Sequence, residues 1–200
     1  MSLISPSIMQ NIEQSSSHLT PFIGRQADLE RILNLFEDPT VRLVTLLGAG
    51  GIGKTRLAIQ IANELADSYR NGVWWVDLAP LTEDELVLEA VAKTLGVAVV
   101  EQQELEERLA GYLLQQHVLL VLDNCEHRIA ACARLAEGLV ARCPSVQILA
   151  TSRQPLALPS EHRFEVAPLP VPPPAPAQPF TELGLRPELA AVIGGDRFLV

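Results

Sequence analysis

The middle of the chain alternates short apolar runs with longer segments whose apolar residues recur every three or four positions. A short apolar run bounded by turn-forming residues predicts a strand, and the 3.6-residue period predicts an amphipathic helix. Residues 41–47 are the first such run, with Pro39 before it and Gly48 after it. Leu57, Ile61 and Leu65, with Ala58 and Ala62 alongside, then predict a helix over 54–69. A second strand is predicted at 73–77. Thr82 is placed to cap a helix reaching residue 95, whose first turn carries Glu83, Asp84 and Glu85 near the positive dipole end. Leu105, Leu109 and Leu113 mark a helix over 101–115, and the run 117–122 lacks polar alternation, as a strand buried on both faces does. A helix over 130–141, a strand at 146–150 and a short strand at 164–166 follow. Ahead of the first strand, Leu29, Ile32, Leu33 and Phe36 form an apolar stripe over 26–36. Strands alternating with helices predict an α/β fold with a mostly parallel five-stranded sheet between two helical layers.

The flanks break this pattern. Residues 1–18 are rich in Ser, Asn and Gln, with neither a basic region nor a continuous apolar stretch of the secretory kind, and read as a flexible leader. Beyond residue 167, Pro168, Pro170, Pro172, Pro173, Pro174, Pro176 and Pro179 crowd together. Successive prolines remove backbone donors and favour an extended conformation, so 171–200 reads as a proline-rich linker with a short tail. The folded domain is expected at 19–170.

Composition narrows the function classes. The chain is 48% hydrophobic and 20% charged, enough to form a packed core. Its 24 Asp plus Glu outnumber 15 Lys plus Arg, for a net charge of -9. That balance removes the broad attraction to phosphate backbones on which nucleic-acid binding rests. No apolar run reaches the ~18 residues of a membrane span. A soluble cytoplasmic protein without membrane or nucleic-acid partners is expected. Cys125, Cys132 and Cys143 cannot all pair and match no zinc spacing, so they are expected to be buried thiols.

The chemistry centres on Gly48-Ala49-Gly50-Gly51-Ile52-Gly53-Lys54-Thr55, which fits the phosphate-loop pattern GxxxxGK[ST] between a predicted strand and a predicted helix. Glycines let the backbone curl around a phosphate, and the helix that follows presents free N–H groups and a positive dipole end. Lys54 is placed to reach the β and γ phosphates, and Thr55 to complete the coordination of Mg²⁺. Arg56 follows at the start of the helix. Asp123 ends an apolar strand, Leu119-Leu120-Val121-Leu122, where a nucleotide site needs an acid to hold Mg²⁺. Asn124 comes next and cannot act as a base. Glu126 is open to two readings, a water-orienting carboxylate or a solvated loop residue. Thr151, Ser152 and Arg153 end the next strand, where a cation can sense a γ phosphate.

Taken together, Phe22-Ile23-Gly24-Arg25, the glycine loop, Leu-Val-Leu-Asp-Asn-Cys-Glu-His and Leu-Ala-Thr-Ser-Arg resemble the STAND class of signalling NTPases. Within it the chain is similar to the NB-ARC-type ATPase domains of large bacterial transcriptional regulators. The resemblance implies a three-layer P-loop NTPase whose sensor strand lies between the loop strand and the Asp123 strand. It implies ATP or ADP with Mg²⁺ as ligands. It places Phe22, Ile23, Gly24 and Arg25 against adenine and ribose, residues 48–56 against the phosphates, Asp123 with Thr55 on the metal, and Thr151 with Arg153 at the sensor end. Catalytic roles then fall to Lys54, Asp123 and Arg153. Family members continue into a helical bundle with a Gly-Leu-Pro-Leu-Ala-like segment, then a winged helix and repeats, none of which this sequence contains; a truncated, cradle-only domain is the expectation.

The leading functional expectation is a nucleotide-binding signalling module that hydrolyses slowly or not at all by itself, with self-association or a partner protein supplying what it lacks. An actively turning-over ATPase and a non-binding remnant used as an interaction surface are the alternatives. A small-molecule kinase lacks support, because no arginine-rich lid is present.

Overall fold

The computed structural model describes residues 24–169. The leader, Phe22, Ile23 and the tail from 170 onward lie outside the described residues. Eleven elements follow in the order α1 (Gln26–Glu37), β1 (Leu43–Leu47), α2 (Lys54–Glu64), β2 (Val73–Asp77), α3 (Leu86–Leu95), α4 (Gln102–Leu113), β3 (Val118–Asp123), a 3₁₀ turn (Cys125–His127), α5 (Ile129–Arg142), β4 (Val146–Ser152) and β5 (Glu161–Glu165). The five strands form one parallel sheet in the order β2-β3-β4-β1-β5. The strand carrying Thr151 therefore lies between the strand that feeds the glycine loop and the strand that ends at Asp123, as the family resemblance implies.

Helices cover both faces, and the pleat divides the sheet residues between two cores. Val118, Leu120, Leu122, Ile148 and Ala150 pack with α3, α4 and α5, while Leu119, Val121 and Leu149 pack with α1 and α2. The apolar stripe of α1 buries Leu29, Ile32 and Phe36, and that of α2 buries Leu57, Ala58, Ile61 and Ala62. Trp74 and Trp75 obey the same alternation, each joining a different core. All three cysteines are buried and unpaired. Among the described residues, no helix is long and apolar enough to cross a membrane.

Two element boundaries depart from the periodicity. The third helix starts at Leu86, so Thr82 does not cap it, and Glu83, Asp84 and Glu85 precede its first turn. Arg128 accounts for this, because its guanidinium donates to the Leu81 carbonyl at 3.0 Å and lies 3.7 Å from the Asp84 carboxylate, holding the segment as a loop. The fifth strand is Glu161–Glu165 and not 164–166. It is an edge strand in which His162, Arg163 and Glu165 are exposed and Phe164 is the one buried apolar residue, so its apolar signal is short. The turn before it is organised by Glu161, whose carboxylate accepts the N–H groups of Leu156 (2.8 Å) and Ala157 (3.0 Å). Burial alone would raise that carboxyl, yet the Leu156 N–H and the Arg163 guanidinium hold it below the usual range.

A polar knot joins the layers on the α1 side. The Gln147 amide donates to the carbonyls of Val41 (2.8 Å) and Phe36 (3.3 Å) and accepts from the Tyr69 hydroxyl at 2.6 Å. All of these groups are buried, so each needs its partner. Gln147→Ala is expected to lower unfolding stability by about 3 kcal/mol, because it leaves a cavity and strands three polar groups. Urea unfolding midpoints check this, and Tyr69→Phe, which deletes one bond, is expected to cost about 1 kcal/mol.

Candidate functional site

Parallel strands end on one edge of the sheet, which is where ligands of open α/β folds bind. That edge here carries Gly48 after β1, Asp77 at the end of β2, Asp123 at the end of β3 and Arg153 after β4. The entry to the glycine loop is pinned from both neighbouring strands. Gly48 N–H donates to the Ser152 carbonyl at 3.3 Å, and Val166 N–H donates to the Leu47 carbonyl at 2.8 Å.

Only glycine fits position 48. A Cβ there would lie 2.1 Å from Ile52 Cδ1 and 3.0 Å from the Val166 carbonyl. Gly53, at φ +93°, ends the loop in the left-handed region and opens α2. The first bond of that helix runs from Leu57 N–H to the Gly53 carbonyl at 2.9 Å. The N–H groups of Lys54 and Thr55 have no carbonyl one turn back, and these residues line an open cleft whose empty space, open solvent included, is about 1010 Å³. Free N–H groups at a helix N-terminus over an open cavity are an anion-binding arrangement.

Lys54 is largely buried and donates to the loop's own carbonyls, Gly48 at 2.9 Å and Ala49 at 3.1 Å. Arg25 grips the loop from outside. Its guanidinium donates to the carbonyls of Ile52 (2.7 Å) and Ala167 (2.9 Å) and pairs with Asp28 at 3.2 Å. At 6% exposure, Arg25 spends its donors on protein, tying the loop to the chain that leaves β5. Neither Gly24 nor Arg25 lines the cavity, and Phe22 and Ile23 lie outside the described residues. Nothing in the sequence spacing signals this clamp, since its partners stand 27 and 142 positions away.

Asp123 anchors the other side. It is 3% exposed, and its Oδ1 accepts the hydroxyls of Thr55 (3.0 Å) and Thr151 (2.5 Å). Thr151 is itself buried, and its hydroxyl also accepts the Asn124 N–H at 3.0 Å, so it supports Asp123 and does not face the cavity. Burial raises the Asp123 carboxyl above the usual range; the two hydroxyls pull it back, and the charges of Asp77 and Glu126 push it up again. Thr55 and Asp123 are hard oxygen donors held together at the foot of the phosphate loop, a donor set that suits Mg²⁺ with water filling the remaining positions.

Three residues beyond the expected set complete the arrangement. Asn124 adopts a left-handed conformation at φ +65°, which Asn tolerates better than most residues. Its amide bridges Asp77 (3.1 Å) and Asp123 (3.2 Å), so a carboxylate at position 124 would face two others. Glu126 proves not to be a solvated loop residue. Its side chain is 10% exposed and pairs with Arg153, Nε to Oε1, at 3.0 Å. The periodicity carries no mark of Asp77, whose role follows from its register opposite Asp123. A second cleft of about 520 Å³ lies between α3, α4 and α5, lined largely by apolar side chains and without a glycine loop.

Parallel order, glycine loop and buried acid define the class: a P-loop NTPase domain with the three-layer architecture. Residues 25–157 match the NB-ARC domain family, and the chain belongs to it. It is 38% identical over 167 residues to "Uncharacterized protein Rv0894" of Mycobacterium tuberculosis, covering 84% of this chain and 42% of that protein. It is 45% identical over 125 residues to the "Putative HTH-type transcriptional regulator Rv0890c" of the same organism, covering 62% of this chain and 14% of that one. The chain thus spans less than half the length of these relatives. The fold is shared with a STAND protein bearing a tetratricopeptide repeat sensor from Pyrococcus horikoshii (TM-score 0.51, 15% identity, 72% of this chain and 23% of that one). It is also shared with Cdc6p from Pyrobaculum aerophilum (TM-score 0.56, 16% identity, 72% and 46%).

Two outcomes follow from this geometry. The unfolded Asp123 carboxyl ionises near pH ~4, whereas the folded one keeps its proton to higher pH. Between those points the unfolded state loses its proton first, so stability from this group falls as pH rises. Asp123→Asn does not titrate, so its unfolding midpoint in urea, without Mg²⁺ or nucleotide, is expected to improve relative to wild type as the pH rises above about 4. Arg25→Ala should lower stability by about 2 kcal/mol through the loss of charge-assisted bonds to two carbonyls, read from the same unfolding curves.

Proposed function

We propose that this domain binds ATP or ADP with Mg²⁺ as the nucleotide-responsive module of a signalling protein, and that its hydrolysis is slow. The observation that carries the reading is the 3.0 Å bond between Thr55, at the exit of the phosphate loop, and the buried Asp123. It brings the two oxygen donors expected for Mg²⁺ to one point at the start of the helix that follows the glycine loop. When bound, Mg²⁺ supplies positive charge to the β and γ phosphate oxygens. Lys54 would exchange the Gly48 and Ala49 carbonyls for phosphate oxygens, a gain in charge complementarity that favours the loaded state. Gly50, Gly51 and Gly53 would present backbone to the ligand, Ala49 and Ile52 shape the loop between them, and Arg56 opens the helix beside Thr55. Gly24 and Arg25, with Phe22 and Ile23 ahead of them, remain the proposed side of the adenine and ribose.

Slow turnover is supported by Asn124. Its amide is committed to Asp77 and Asp123, and it has no basic atom to accept a proton from water. The similarity to a protein named as an HTH-type regulator supports a signalling role, with self-association or a partner domain completing the site. The acidic balance argues that DNA contact, if the whole protein makes it, belongs to other segments.

The test is to denature the purified protein and identify the nucleotide released, then to titrate ADP and ATP by calorimetry with Mg²⁺ present. One nucleotide per chain is expected. Lys54→Ala should weaken binding roughly 10- to 100-fold, the loss of a charged hydrogen-bond donor to phosphate. A well-folded wild-type sample that binds neither nucleotide would show the domain to be a non-binding remnant.

A further inference from the structure

Three carboxylates meet at the strand ends, and two of them accept hydrogen bonds from their neighbours. Asp77 accepts from Asn124 and from the Ala79 N–H at 2.9 Å, and Asp123 accepts from Thr55, Thr151 and Asn124. Glu126 differs. Its Oε1 pairs with Arg153, but its Oε2 is shielded from solvent and has no hydrogen-bond partner. A buried carboxylate oxygen without a donor is costly, and such groups in native folds call for a specific explanation.

Placement supplies one. The left-handed turn at Asn124 directs its amide to Asp77 and Asp123, and Asn124 and Glu126 both line the phosphate cavity with Lys54 and Thr55. Among the described residues that line this cavity, Glu126 is the carboxylate. Arg153 lies across it. Its side chain is 59% exposed, and its guanidinium also packs against the glycine loop, with Nη2 3.3 Å from where a Gly50 Cβ would be. The ion pair therefore spans the mouth of the phosphate cradle, formed by a long, exposed side chain that is free to leave.

We propose that Glu126 is the base that accepts the proton of the attacking water, and that Arg153 holds it in an ion pair until a γ phosphate draws the guanidinium away. The proposal rests on the reading that this domain binds ATP. Phosphate and Glu126 compete for one cation. With a triphosphate bound, Arg153 turns to the γ phosphate and the Glu126 carboxylate is released into the cavity. The water oxygen then bonds to the γ phosphorus, the bond from that phosphorus to the bridging oxygen breaks with its electron pair remaining on ADP, and the water proton passes to Glu126 and from there to solvent. ADP lacks the γ phosphate, so the pair re-forms in the product state. Turnover is slow because each cycle must break the pair.

The test uses the full chain, with single-turnover hydrolysis of labelled ATP and calorimetric titration of ADP and of the non-hydrolysable analogue AMP-PNP, both with Mg²⁺. Glu126→Gln removes the base and the competitor for Arg153 while keeping the side-chain size. It should slow single-turnover hydrolysis roughly 100-fold or more, bind AMP-PNP more tightly than wild type, and leave ADP affinity unchanged. Arg153→Ala should weaken AMP-PNP binding roughly tenfold with ADP affinity unchanged. Glu126→Asp, which keeps the charge but withdraws it by one methylene, should also slow hydrolysis without altering ADP binding, and it serves as a second variant if Gln impairs folding. Glu126→Gln hydrolysis within about twofold of wild type overturns the proposal, since a positioned base contributes far more than that. So does a parallel shift of AMP-PNP and ADP affinities in the variants, which is what a merely structural ion pair produces, or a wild type that binds AMP-PNP yet releases no phosphate from ATP. In these cases nucleotide binding still stands; a wild type that binds neither nucleotide removes the underlying reading as well.

Discussion

A carboxylate removed from water must be solvated by the protein, and at Asp123 two threonine hydroxyls do this work. Thr55 comes from the first turn of the helix after the glycine loop and Thr151 from the neighbouring strand, so one acid couples α2, β3 and β4. Its residual penalty, visible in the raised carboxyl, is the physical basis for expecting a cation there. A divalent ion favours the ionised form and offsets the burial that disfavours it. The start of the helix after the phosphate loop, the residue after Asp123 and the end of β4 all contribute a donor to this one acid.

The neighbourhood is shaped by managing negative charge. Asp77 and Asp123 sit opposite one another in the paired strands, and like charges so placed repel. Asn124 answers with a neutral amide that donates to both. The departure from an acid at this position is thus a consequence of the strand pairing. Two residues along the chain, the turn at Asn124 brings Glu126 to the cavity, and Arg153 balances its charge. On the opposite side of the cavity the loop is braced by cations that face their own backbone, Lys54 from within and Arg25 from outside.

Most of the architecture was legible because burial imposes a period. Continuous apolar runs marked β3 and β4, and four-residue spacing marked α2 and α5, since strands buried on both faces and helices with one buried stripe leave distinct patterns. The phosphate loop was legible for a different reason: its spacing is short and local, so neighbouring residues alone build it. Where tertiary contacts outweighed local preference, the reading failed. Arg128 holds residues 81–84 out of the helix that Thr82 would have capped, and the charged edge strand β5 hides most of its length.

By itself, the sequence determined an α/β domain with a phosphate loop, an acid at a strand end and a hydroxyl-plus-cation strand end, because each of these is a feature of consecutive residues. Only the tertiary structure decided what those groups touch. It assigned Arg25 to the loop backbone and Thr151 to Asp123, and it removed the solvated-loop reading of Glu126 by burying it against Arg153. Long-range contacts depend on strand order and on single backbone angles such as the positive φ of Asn124, and neither leaves a local periodic trace.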